Sequence, residues 1–335
     1  MTRLLRVTPL VAGLGLVALL VSRYGLGEVG LAVRSMSAGG LLLYVVFTVA
    51  VVLGYAARWQ LVTRSLGRPL TLATTASARL AGDAVSNLVP SARLAGEPVR
   101  AAIAHAHGLE ATTASAGVAL DRLLETITSI VCAFIYVSVF SATHGAATSG
   151  LGALAMTLGI GTAALALPVL LLWLDIPPLW PIYSLLSGRG ARAQRWTDAL
   201  RRTEEHLLRL FRERPIVFLQ GLALAFLTEA LTICEFRFLL ASFGIEVDLP
   251  TVLLVLVGTG VAHAVPTPAA LGTLEGSQVA VFSIAAGDPS LGFAVGLIVR
   301  LHETLLSVIG LACLSANGMS LARLPVFRAS EEASA

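Results

Sequence analysis

Lysine is absent, because all 23 basic residues of the 335 are arginine. That excludes Schiff-base chemistry and a phosphate-loop lysine. Charge of either sign is also scarce, at 13% of residues against about 25% in soluble domains. The three cysteines, Cys132, Cys234 and Cys313, stand singly in apolar runs without C-x-x-C spacing, so they read as packing residues. His302-Glu303 starts like H-E-x-x-H, but Leu306 occupies the second histidine position. His105-x-His107 alone is weak as a metal site. Gly82-Asp83 lacks the preceding G-x of an intramembrane aspartyl protease, and neither a G-x-S-G motif nor a Gly-rich phosphate loop occurs. No cofactor, no metal and no ATP-driven step by this chain alone are expected.

What is present is apolar surface: 56% apolar residues and a mean hydropathy of +0.84. Runs 4–22, 39–57, 112–140, 151–174, 215–243 and 290–316 are each long enough to cross a bilayer, which takes roughly 20 residues. Arg3 and Arg6 precede the first run, but no small-residue cleavage site follows it, so it reads as an uncleaved helix. Eight arginines between Arg189 and Arg214 face only Asp198, Glu204, Glu205 and Glu213, while 141–150 carries no Asp, Glu or Arg. The positive-inside rule then places 189–214 in the cytoplasm, together with both termini, of an inner-membrane protein. Trp196, Leu200, Leu207 and Phe211 recur at near-helical spacing, so 189–214 is expected to be an amphipathic linker helix at the inner surface. The pI near 9.0 comes largely from this segment and describes topology, not a nucleic-acid partner.

Two segments fail to look like spans. Residues 70–108 hold Arg79, Asp83, Asn87, Pro90, Arg93, Glu97 and Arg100 among small apolar residues. In 250–287, an apolar run ends at Val265-Pro266-Thr267-Pro268 and resumes near Glu275-Gly276. Broken backbone at membrane depth needs protein or a water-filled cavity to satisfy it, so both read as re-entrant hairpins.

The hairpins share a register. Pro90 precedes Glu97 by seven residues and Pro268 precedes Glu275 by seven; Glu97 precedes Arg122 by 25 and Glu275 precedes Arg300 by 25. The arginines open matching pentads, Arg122-Leu123-Leu124-Glu125-Thr126 and Arg300-Leu301-His302-Glu303-Thr304. The expected fold is therefore an all-α polytopic membrane helical bundle of about six spans and two re-entrant broken-helix hairpins arranged as an inverted repeat. It forms a single membrane domain over 1–335, with halves at 1–140 and 150–316.

Arg122 and Arg300 each lie ten residues into a span, about 15 Å deep. An arginine there costs at least about 2.5–3.5 kcal/mol unless it faces the interior and is paired. Arg122 with Glu125, and Arg300 with Glu303, can pair locally at i, i+3. Asp121 lies beside the first pair and His302 within the second. One reading is a structural ion pair; the other is an arginine that exchanges its carboxylate for a lipid phosphate, which a guanidinium binds bidentately. Arg93 and Arg100 flank Glu97 and can meet a headgroup, and Glu275 is the matching acid. Glu229, Glu235 and Arg237 are expected to pair with other helices. Arg58-Trp59 reads as an interfacial anchor.

The runs Arg58-Trp59, Gly82-x4-Asn87-Leu88-Val89-Pro90, Gly96-Glu97-x2-Arg100, Asp121-Arg122-Leu123 and Pro268-x2-Leu271-Gly272-Thr273-Leu274-Glu275-Gly276 resemble the flippase-like family, the transmembrane region of lysylphosphatidylglycerol synthetases and its stand-alone relatives. The resemblance spans roughly 5–316. It implies movement of modified or isoprenoid-type lipids between leaflets, with Glu97, Arg100, Arg122, Glu275 and Arg300 as functional positions. The family's glycine-rich run before the first acid is Ser91-Ala92-Arg93-Leu94-Ala95-Gly96 here, and Ala269-Ala270 follow Pro268 where glycines are usual. Those changes are expected to stiffen the hairpins or narrow the cavity. The soluble aminoacyl-transferring domain of the synthetases is not in this sequence.

The expected function is lipid translocation, with an anionic or phosphate-linked headgroup held by Arg122 and Arg300 and with Glu97 and Glu275 balancing charge or carrying a proton. The alternatives are an accessory protein that presents a lipid to a separate biosynthetic enzyme, and a transferase using Glu275 as base. Membrane lipids are the expected partners. The inverted topology has its own measurement: single cysteines replacing Pro90 and Pro268 should label from opposite sides of the membrane. Labelling of both from one side sinks that topology.

Overall fold

The computed structural model describes residues 37–67, 69–89, 91, 93–144, 149–178, 191–265 and 267–319. The expected span 4–22, Pro90, Pro266 and the flanking arginines Arg3, Arg6, Arg68, Arg189, Arg323 and Arg328 lie outside the described residues. Every regular element within them is helical: α1 (Ala38–Leu66), α2 (Leu72–Leu88), α3 (Glu97–Ala106), α4 (Ala111–His144), α5 (Ser149–Trp173), α6 (Ala191–Glu213), α7 (Pro215–Ser242), α8 (Leu249–Ala264), a 3₁₀ turn (Pro268–Ala270), α9 (Thr273–Ala285) and α10 (Pro289–Ala316). Helices α1, α4, α5, α7 and α10 are long and apolar enough to cross a membrane, and they coincide with the last five runs read from hydropathy.

Local chemistry sets the helix ends. Side chains of Thr71, Asp248 and Asp288 accept from the backbone N–H of Thr74, Thr251 and Leu291 at 3.1, 3.2 and 3.0 Å, satisfying donors that the first turn leaves free. Pro98, Pro215, Pro250 and Pro289 occupy first turns, where a missing N–H costs nothing. Before Pro90, Val89 leaves the helix for extended backbone, as a residue preceding proline does.

The two segments that did not read as spans are helix–break–helix pairs, α2–α3 and α8–α9. Their arms have 17, 10, 16 and 13 residues, each short of the roughly 20 needed to cross. Non-glycine residues in the left-handed region cluster at the breaks: Arg93 (φ 63°), Ala269 (φ 50°) and Ala270 (φ 48°).

Contacts between the halves are reciprocal. Helix α1 lies along α7, α10 packs on α2, and α4 packs on α8, while α3 and α9 lie against α4 and α10. The amphipathic helix α6 docks on the bundle: Leu207, Leu210 and Phe211 are buried, and the Phe211 ring meets Phe218 of α7 at 4.9 Å and Trp173 of α5 at 5.7 Å. The side chain of Trp196 lies outside the described residues.

Glycines permit the tightest approaches. A methyl group at Gly96 would stand 2.0 Å from the carbonyl oxygen of Gly82, and one at Gly310 2.1 Å from that of Leu80. The first contact closes the α2–α3 pair and the second seats α10 on α2. Gly96→Ala is therefore expected to cost about 1–3 kcal/mol through overpacking. Gly276→Ala, where a Cβ meets nothing within 4 Å in a helix, should be neutral or stabilising. Thermal unfolding midpoints in detergent check the pair.

Candidate functional site

The densest charge sits where α1, α2, α3 and α4 meet. Asp121 is fully buried; one carboxylate oxygen accepts from Arg58 Nε at 2.7 Å and the other from Arg100 Nη2 at 2.5 Å. Arg100 also donates to Glu97 at 3.0 Å, and its guanidinium lies over the Trp59 ring at 4.5 Å. One turn along α4, Glu125 receives both ends of Arg79 at 2.7 and 2.9 Å, the planar fork that makes arginine the residue for such pairs. Arg79 reaches Asp83 through Nε at 2.8 Å and lies over Tyr55 at 4.3 Å. Arg122 approaches Glu125 at 3.5 Å and Glu97 at 3.9 Å from the rim. Four guanidinium groups, Arg58, Arg79, Arg100 and Arg122, thus share four carboxylates, Asp83, Glu97, Asp121 and Glu125.

Arg58-Trp59 is no interfacial anchor: both side chains are buried at 1% and 0% exposure. They face inward because Asp121 and Arg100 are there to pair with them.

In the second half Arg300 turns to Glu275 rather than to Glu303. Its Nε and Nη2 donate to the two oxygens of Glu275 at 2.5 and 2.9 Å, and Nη1 and Nη2 donate to the carbonyls of Ala269 and Ala270 at 2.7 and 3.0 Å. The broken backbone between α8 and α9 offers bare carbonyls, and together with a bidentate carboxylate they outweigh one residue an uneven turn away. Glu275 also closes the start of α9, accepting from Gly272 N–H at 3.0 Å. Arg300 is therefore a clasp across the second break.

Glu303 instead joins the halves. Arg93, at the first break, donates from Nη2 to Glu303 at 3.0 Å, and His263 at the end of α8 lies 3.0 Å from the same nitrogen and 3.1 Å from the Glu303 carboxylate. Asn87 of α2 donates to Ser307 of α10 at 2.9 Å beside them. This polar latch ties the first broken pair to α8 and α10.

Between the halves lies a cavity of about 440 Å³. Of the candidate headgroup-binding residues, Arg93, Glu125 and Glu303 line it, while Glu97, Arg100, Asp121, Arg122, Glu275 and Arg300 do not. Sequence reasoning missed Tyr55 and His302 as lining residues and gave Arg79 and Asp83 no role. The Arg79-x3-Asp83 spacing, one helical turn, carried that signal. Glu229 and Glu235 of α7 also line the cavity; Glu229 accepts from Tyr136 at 3.2 Å, and Arg237 is exposed.

A family model described as lysylphosphatidylglycerol synthase TM region matches residues 6–310, and the chain belongs to this family of membrane proteins, which is linked to lipid handling. The chain is also similar to a UPF0104 membrane protein of Methanothermobacter thermautotrophicus (strain ATCC 29096 / DSM 1053 / JCM 10044 / NBRC 100330 / Delta H), 24% identical over 334 residues that cover 93% of this chain and 95% of that relative.

Removing one partner of a buried ion pair strands the other charge, at about 3–5 kcal/mol. Asp121→Asn is expected to cost that much, because it takes from two buried guanidinium groups their shortest carboxylate contacts. Asp83→Asn, whose side chain is 50% exposed, should stay within about 1 kcal/mol. Equal losses in detergent unfolding would contradict the assignment of Asp121 as keystone.

Proposed function

We propose, from membership of this family and the geometry of the cavity, that the chain moves the headgroup of an amphipathic, phosphate-linked lipid between leaflets while the acyl chains stay in the bilayer. The observation that carries the reading is the cavity of about 440 Å³, mainly apolar in lining but carrying charged side chains of α2, α4, α7 and α10, with the Arg93–Glu303 latch at its wall. The outer faces of the long helices suit lipid tails: Leu42 and Val46 of α1, Ile160 of α5 and Leu227 of α7 are exposed.

The reciprocal packing of α10 on α2 and α4 on α8 supports an inverted repeat, and short broken arms support re-entrant hairpins. Alternating access would then proceed by parting the latch. Arg93 is the guanidinium best placed to take a lipid phosphate. It lines the cavity, its side chain is 40% exposed, and exchanging the Glu303 carboxylate for a phosphate keeps its charge matched. The headgroup role expected of Arg300 passes to Arg93, because Arg300 is engaged by Glu275 and two carbonyls. The same engagement speaks for transport over transfer chemistry, since Glu275, the candidate base, is held in the clasp.

The test is leaflet-resolved movement of fluorescent phosphatidylglycerol and its lysyl ester in phosphatidylcholine vesicles. Arg93→Ala should slow movement at least about tenfold, the effect of losing about 1.4 kcal/mol of phosphate binding, while Arg64→Ala should leave it unchanged. If the wild type moves neither lipid faster than protein-free vesicles do, the translocase reading fails. A fall in a co-expressed lipid synthetase's output on Arg93→Ala would then favour the accessory role.

A further inference from the structure

Glu235 is the acid for which the latch and the ion network provide nothing. It lies on α7 with 2% of its surface exposed, lines the cavity, and its Oε1 has no hydrogen-bond partner. Its one ion-pair contact among the described residues is His302 of α10, whose Nε2 stands 3.9 Å away. The other ring nitrogen, Nδ1, is 2.7 Å from the hydroxyl of Tyr44 on α1, and the ring is held edge-on between Tyr44 and Phe236.

The groups facing Glu235 can be named element by element. Helix α1 presents Tyr44 and the neutral Thr48; α10 presents His302, with Glu303 turned to Arg93 and His263; α4 presents Tyr136, which serves Glu229. Helix α8 lines the cavity here with Leu256 and Val257. On α7 itself, Arg237 is exposed on another face, and α6 packs near the opposite end of α7, where Phe211 meets Phe218. No guanidinium among the described residues balances this carboxylate.

The Tyr44–His302 pair fits both protonation states of Glu235. With the carboxylate ionised, the Tyr44 hydroxyl donates to Nδ1 and the Nε2–H faces Glu235. With it protonated, Glu235 O–H faces a bare Nε2, while Nδ1–H donates to the Tyr44 oxygen. A hydroxyl can donate or accept, so Nδ1 keeps a partner in either state. A shift of about 1 Å closes the 3.9 Å gap to hydrogen-bonding distance in either state.

We propose that Glu235 is a proton-binding site, with His302 and Tyr44 as its positioning residues, and that proton uptake there is coupled to lipid movement. The step is simple: hydronium in the cavity gives its proton to the carboxylate, leaving water and a neutral carboxylic acid. Neutralisation removes the unbalanced charge from the cavity wall, so the cavity can close without stranding an anion in low dielectric. The coupling rests on the translocase reading; the proton site does not.

Two readouts separate them. Infrared titration of the purified protein from about pH 5 to pH 9 should show the carbonyl stretch of a protonated carboxyl appearing as pH falls, and Glu235→Gln should remove that band. Glu235→Asp should keep the band with a shifted midpoint, which guards against misfolding of the first variant. In vesicles with a pH gradient of about two units, wild-type movement of fluorescent phosphatidylglycerol should change about tenfold with the sign of the gradient. In Glu235→Gln the ratio should fall to one. A band that is absent, or that does not titrate, overturns the proton site whatever the lipids do. A titrating band with flux indifferent to the gradient overturns the coupling. No lipid movement by the wild type overturns the translocase reading and the coupling together, and leaves proton binding to be decided by the infrared result.

Discussion

Asp121 lies between Arg58 and Arg100 with none of its surface exposed, and the architecture of the first half follows from that contact. An arginine side chain stays charged in a protein, so a guanidinium taken into a low-dielectric slab must bring a counter-charge with it. Meeting that demand here recruits a residue from each of α1, α3 and α4 to one point, and Arg79 with Glu125 extends the junction to α2. Trp59 covers Arg100, and Tyr55 covers Arg79, with ring faces that attract cations. Arg79 and Glu125 carry this junction to the cavity, where they stand among mainly apolar lining residues.

The second half meets the same demand with different acceptors. Arg122 and Arg300 hold the same place in the sequence register, yet Arg122 is partly exposed and shares its carboxylates, whereas Arg300 is buried and binds backbone. The difference traces to the breaks. Ala269 and Ala270 adopt left-handed backbone, a conformation that costs a residue with a Cβ roughly 1–2 kcal/mol. The carbonyls of those two alanines are the ones Arg300 binds, so the clasp helps hold the strained turn that exposes them. Glycine at either position would adopt that turn without strain. With alanine there, the clasp carries more of the cost of the turn.

Much of the fold was legible because it is written locally. Hydropathy located the five long apolar helices among the described residues, and the prolines at 90 and 266 marked where α2 and α8 end. The seven- and 25-residue spacings aligned the breaks with the acids and arginines, and Glu275 and Arg300 do pair at that separation. Pairing by proximity in sequence was the weaker guide. Arg122 does meet Glu125, but Arg300 passes over Glu303, three residues away, for partners 25 to 31 residues away that fit its fork. Arg58-Trp59 carries the same residue types as a membrane-surface anchor, and only the fold shows a buried carboxylate opposite it. Likewise Glu235 and His302 lie in different helices, and nothing in the spacing of either reveals that they share a wall.

The latch differs in kind from both compensated clusters. His263 Nδ1 lies 2.8 Å from the Thr259 carbonyl and so carries a proton there, while Nε2 accepts from Arg93 when bare and donates to Glu303 when protonated. That nitrogen cannot accept from Arg93 and donate to Glu303 at once, although both lie within 3.2 Å. One of the contacts is therefore always unmade or unfavourable, whereas the Asp121 and Arg300 clusters have no such conflict. Parting two packed halves costs least where contacts are already frustrated. On the translocase reading, the seam between Arg93, His263 and Glu303 should yield first, while the arginine junction and the Arg300 clasp keep each half intact as it moves.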